Sequence, residues 1–174
     1  MPVAYSGTPH LGTITGVNEF CVINRSSNQA INLGVGDHVM FNSLTGFRGG
    51  QYIQPDLLTT YSNVQGAASI GRITLKAGPA YYLQYMPGLV LVDASGSFGT
   101  FTFHNATDGL NFGGFYKAVP VSQTTHVNYG TTMATIIEPT KDILVEVRII
   151  AVTGTITGIG EGTAANPTLL IYTI

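Results

Sequence analysis

Four histidines, one cysteine and a scatter of carboxylates are the side chains here that could hold a metal or move a proton, and their spacing argues against both. His10, His38, His104 and His126 show no H-x-H or H-x-x-x-H pairing, and Cys21 has no partner thiol, so no short-range ligand set exists. A lone cysteine excludes an intramolecular disulfide, and Cys21, between Phe20 and Val22, reads as a small buried hydrophobe. Glu138, Asp142 and Glu146 recur every four residues, but Pro139 and the alternating pattern after it deny them one helical face, which leaves them as edge and surface charges. Asp37 sits at a turn, where its carboxylate satisfies backbone donors and His38 is a bystander. Nucleophilic chemistry lacks its elbow, because Gly96-Ser97-Phe98-Gly99 is not G-x-S-x-G. The glycines at 158, 160 and 162 are followed by no Lys-Ser/Thr pair and read as a loop between the last two strands. No cofactor, metal or enzymatic activity is expected.

Binding chemistry is better represented. Residues 105–116 bring Asn105, Asp108, Phe112, Phe115 and Tyr116 into a candidate loop for a glycan or protein partner, although the chain has no Trp to serve as a sugar platform. Residues 46–68 form the longest stretch without clear strand signals, and Phe47, Arg48, Tyr52 and Tyr61 there are of the types that anchor interfaces. The alternative for these four is that they cap an open end of the fold. Asn24-Arg25-Ser26 and Asn105-Ala106-Thr107 fit the N-glycosylation pattern and are expected to be chance matches, since residues 1–16 lack the features of a secretory signal.

The elements that must position these residues are strands. No window repeats apolar residues with helical spacing, whereas many alternate with period two between Gly, Pro, Asn and Asp. The clearest strand covers residues 143–152, with Ile143, Val145, Val147, Ile149 and Ala151 on one face and Glu146 and Arg148 on an exposed one. Further strands are expected at 20–24, 30–33, 38–42, 72–75, 80–86, 89–92, 99–104, 131–138 and 168–174. So many short strands imply an all-β, antiparallel pair of packed sheets or a closed barrel. Residues 13–174 make one domain, preceded by an extended arm at 1–12.

Composition narrows the partners. Charged residues are 9% of the chain, against about 25% in an average globular protein. Its polar surface must come from residues such as its 22 Thr and 22 Gly. A net charge of −2 with scattered basic residues gives no footprint for nucleic acid. No stretch reaches the roughly 20 apolar residues of a membrane helix, so no membrane insertion is expected. Weak self-repulsion suits a subunit packed among neighbours.

Residues 73–83, ITLKAGPAYYL, resemble the step found in C1q-like and tumour-necrosis-factor (TNF)-like jelly rolls, and the chain ends in an apolar strand, LLIYTI. The resemblance spans about residues 30–174 and extends to domains of viral spikes, fibres and minor capsid proteins and of bacterial spore surfaces. It implies a single jelly-roll sandwich whose last strand is central in an inner sheet, assembling as a homotrimer with no catalysis. A virion surface or capsid location follows, with a spore or extracellular surface as the alternative. Partners would be further copies of itself, other virion proteins and a host-surface receptor or glycan. A nearly all-apolar last strand must bury both faces or lie against another subunit, which makes Tyr81, Tyr82, Tyr85, Leu170 and Tyr172 the candidate subunit interface. A carbohydrate-binding module is the second reading. A cupin-like metalloenzyme would need clustered His and Glu ligands that the chain lacks.

Overall fold

A computed structural model describes residues 19–25, 33–56, 70–88, 90–92, 97–118, 132–159 and 167–174. These form β1 (Phe20–Asn24), β2 (Ser43–Arg48), β3 (Ile53–Pro55), β4 (Ile73–Leu75), β5 (Tyr81–Met86), β6 (Val90–Val92), β7 (Phe98–Asn105), β8 (Leu110–Ala118), β9 (Met133–Ile137), β10 (Ile143–Thr153), β11 (Ile156–Ile159) and β12 (Thr168–Thr173). One five-stranded sheet runs β2-β1-β12-β5-β9, a second runs β3-β4-β10-β7-β8, and β11 pairs with β6. Every pairing is antiparallel. The chain passes repeatedly between the sheets, and the last strand lies in the middle of the first one, beside β1.

Alternation decides what fills the space between the sheets. Cys21 and Ile23 of β1, Leu83 of β5, and Leu169 and Ile171 of β12 point inward from the first sheet. Ile73 and Leu75 of β4, Phe101 and Phe103 of β7, and Ile143, Val145, Val147 and Ile149 of β10 meet them from the second. Each such side chain contributes roughly 1.5–3 kcal/mol relative to exposure. Tyr81 and Tyr85 share this inner face. Tyr85 packs at 6.4 Å between centroids against both Phe41 and Phe101, and the Tyr81 hydroxyl donates to Lys76 O at 2.6 Å.

Several expectations are corrected. Residues 46–68 are not strand-free: β2 and β3 occupy part of them, while residues 57–69, Tyr61 included, lie outside the described residues. Residues 110–118 form β8 rather than a binding loop, and Gly158 lies in β11 rather than in a loop. Residues 38–42 make isolated bridges instead of a strand, because His38 and Phe41 pair with different partners, Arg148 and Ile70. Of the expected strand at 30–33, only Leu33 is described, and the arm at 1–12 lies outside the described residues.

Candidate functional site

The outer face of the first sheet, turned away from the core, has an unusual composition for a solvated surface. Cross-strand partners share a face, so one row reads Arg48, Phe20, Tyr172, Tyr82 and Ile136 across all five strands. The next row reads Gly46, Val22, Leu170, Gln84 and Ala134, and below it Met86 stands opposite Thr168. Of the ten residues in the two rows only Arg48 is charged, and it stands on the edge strand. Tyr82 and Tyr172 lie ring against ring at the centre, 5.0 Å between centroids. Phe20, Met86 and Ile136 are exposed. The face is nearly uncharged and aromatic at its middle.

The second sheet carries charge on its outer side, and most of it is hidden. Glu146 of β10 is 1% exposed. Its Oε2 accepts from Arg72 Nε at 2.8 Å and its Oε1 from Arg148 Nε at 2.6 Å, with Arg148 Nη2 on the same oxygen. Burial pushes the Glu146 pKa up, but the Arg72 hydrogen bond, the neighbouring His38 when charged, and the charge and hydrogen bond of Arg148 outweigh it and hold the carboxyl below its ordinary range. His38 lies above the cluster with Nδ1 4.0 Å from Glu146 Oε2. On β7, His104 stands opposite Glu146, and its Nδ1 is 2.7 Å from Asn111 Oδ1.

A second polar centre ties the two sheets together. Glu19, also 1% exposed, accepts backbone hydrogens from Gln51 (2.9 Å), Tyr52 (2.7 Å) and Ile53 (2.8 Å). Its own N–H donates to Thr173 Oγ1, and Thr173 N donates to its carbonyl, both at 3.0 Å. Gly49 makes this approach feasible: its φ is +118°, and a Cβ there would stand 2.2 Å from Glu19 Cγ. Burial raises the Glu19 pKa, and the surrounding backbone N–H groups outweigh it to leave the carboxyl below its ordinary value. Arg25, fully buried, donates to Met40 O at 3.1 Å, and burial lowers its pKa to about 10, so it stays charged at neutral pH.

Two solved structures of murine APRIL, a TNF-family protein, superpose on this chain. The one at pH 8.5 has a TM-score of 0.52 and the one at pH 5.0 a TM-score of 0.53, each covering 90% of this chain and 99% of the other at 9% sequence identity. This chain has the TNF-like jelly-roll fold. At that identity the likeness concerns the fold alone. No protein-family model matches the chain, and no curated protein matches it in sequence.

Within the jelly roll the residues singled out from sequence separate cleanly. Tyr82, Leu170 and Tyr172 come together on the outer face of the first sheet, whereas Tyr81 and Tyr85 are 0% exposed and belong to the core, because successive strand residues face opposite ways. Phe47 and Arg48 stand on edge strand β2, and Tyr52 packs against the core beside Glu19. Phe112 stacks on Phe103 at 5.8 Å, Phe115 is exposed, and Tyr116 lies in β8 opposite Phe101. Asn105 and Asp108 form the β7–β8 turn, where Asn105 Nδ2 donates to Asp108 at 2.8 Å and Lys141 Nζ to Asp108 at 2.5 Å. Asn105, nearly buried and engaged in this turn, is a poor glycan acceptor. Sequence reasoning missed Glu19, and it placed Glu146 on an exposed face. The signal for Glu146 is a lone acid within an apolar strand, flanked two residues on by Arg148. Among the described residues no three His, Cys, Asp or Glu side chains gather as a metal site, and no helix is long and apolar enough to cross a membrane.

Proposed function

We propose that this chain is a non-enzymatic structural or attachment subunit that assembles as a homotrimer through the outer face of the β2-β1-β12-β5-β9 sheet, in a particle such as a virion. The observation that carries the reading is the uncharged run of Phe20, Tyr172, Tyr82 and Ile136 across four of that sheet's five strands. A chain with 9% charged residues that leaves such a row uncovered is suited to burying it against another copy. A ring of three needs heterologous contacts, in which two different patches of each subunit meet. In this reading the tyrosine-centred face is one of them, and the edge formed by β8 and β9 is the other. There a Cβ on Gly113 would stand 3.0 Å from Thr135 Cβ, and Phe115 is 71% exposed. Spike, fibre head and capsid component all fit this reading, as do the virion location and the receptor or glycan partners that the resemblance implies. The carbohydrate-module reading is less well supported, because Asn105 and Asp108 spend their polar groups on one another and on Lys141.

The test is a charge placed where the interface would be driest. Tyr172→Glu leaves the inner core untouched, so its circular dichroism should match the unaltered chain while its solution mass falls from three chains to one. An unchanged trimer in Tyr172→Glu would contradict the assignment of this face, and a monomeric unaltered chain would contradict the assembly itself.

A further inference from the structure

Residues 36–39 form a narrow strip along β10, held by backbone hydrogen bonds. Val39 N donates to Val147 O and Ile149 N to Asp37 O, both at 2.8 Å, and Gly36 N donates to Ile149 O at 2.9 Å. His38 stands in the middle of the strip, opposite Arg148, with its side chain 13% exposed. The ring is pressed onto the backbone of Gly71, where an added Cβ would lie 2.8 Å from His38 Cδ2, so it has no room to move in that direction. Charged groups meet it from each neighbouring element: Asp37 from the strip, Glu146 and Arg148 from β10, and Arg72 from the residue before β4. On β7, His104 stands opposite Glu146 and is engaged with Asn111. Both Glu146 oxygens already accept from Arg72 and Arg148, so a proton on His38 would add a third cation to a partly buried cluster whose carboxylates are Glu146 and Asp37.

We propose that residues 36–39 are an acid-released latch: His38 is neutral while the strip is docked, and its protonation on mild acidification opens the strip from β10 while both sheets stay folded. The proposal does not depend on the assembly reading. Burial is the largest influence on His38 and lowers its pKa from the ordinary 6.5; Arg72 and Arg148 act in the same direction, against Glu146 and Asp37. A histidine held below its ordinary value binds its proton better when the strip is open. Docking is therefore at full strength above 6.5 and weakens as pH falls toward the lowered value, by about tenfold in the opening equilibrium per pH unit. Glu146, held below the ordinary carboxylate range, stays ionised through this window.

Amide hydrogen exchange, corrected for its intrinsic pH dependence, reads the latch directly. Below about pH 6.5 and down to about pH 5 the Val39 and Ile149 amides should lose protection about tenfold per unit until His38 is saturated, while the Ile171 amide in β12 keeps its own. His38→Gln should abolish that slope. NMR titration of the His38 ring in the unaltered chain should give a midpoint below 6.5 and provides the check should the variant not fold. Unchanged protection of Val39 at pH 5, a slope that survives His38→Gln, or a His38 midpoint at or above 6.5 would each overturn the proposal.

Discussion

Glu19 joins β1 to the approach to β3 by accepting from three backbone N–H groups. Glu19→Ala should therefore destabilise the chain by about 2–4 kcal/mol in urea unfolding, the range expected when buried donors lose an ionised partner. Because its folded pKa is depressed, the carboxylate contributes its full stability above the ordinary value of 4.5 and loses it as pH falls through the lower folded value. A urea midpoint followed from about pH 7 to pH 3 should decline less steeply in Glu19→Gln than in the unaltered chain. Cys21 offers an independent probe. It is wholly buried and its pKa is pushed up to about 12 by desolvation, so thiol reagents at about pH 8 should label it only as fast as the sandwich opens. The inertness of Cys21 was legible from its apolar neighbours. The role of Glu19 was not, because its partners lie 32 to 34 residues further along and no local pattern marks a carboxylate that bonds at such range.

Among the elements, β10 carries the most consequence. Its inward residues belong to the core between the sheets, and Val147→Ala should lower stability by about 2 kcal/mol, read as a shift of the urea midpoint with an unchanged slope. Its outward Glu146 holds Arg72 and Arg148; Glu146→Ala should lower stability by about 2 kcal/mol, below the roughly 3–5 kcal/mol of a fully buried broken pair because both arginines keep partial access to water. The inward alternation of β10 could be read from residues 143–149, and β1, β5, β7, β9 and β12 were readable for the same reason. Four strands were not. In β2, SLTGFR, the edge position leaves most side chains exposed, so no apolar alternation is required. β3 is a three-residue strand ending in Pro55, β8 breaks its pattern at Gly113-Gly114 beside a bulge, and β11 holds only four residues. The burial of Glu146 was hidden by the same logic that located the strand: alternation predicts which side a residue faces, not which side chains of neighbouring segments, here Arg72 and His38, gather around it.

At the scale of the whole molecule, the apolar core lies between the two sheets, and a second uncharged surface lies on the outer side of the first. The core accounts for Tyr81 and Tyr85, which the sequence grouped with Tyr82, Leu170 and Tyr172 because all five sit in or beside apolar runs; only the pairing of β5 with β12 separates inward from outward. What remains is a neutral, tyrosine-centred sheet face on a chain with little charge to keep it in solution alone. Self-association through that face is the central claim. It is tested most directly by the solution mass of the purified chain, measured by light scattering across a dilution series and again in about 1 M salt. An apolar interface is insensitive to screening, so the mass should hold at three chains under all these conditions. A mass of one chain at every concentration would contradict the account.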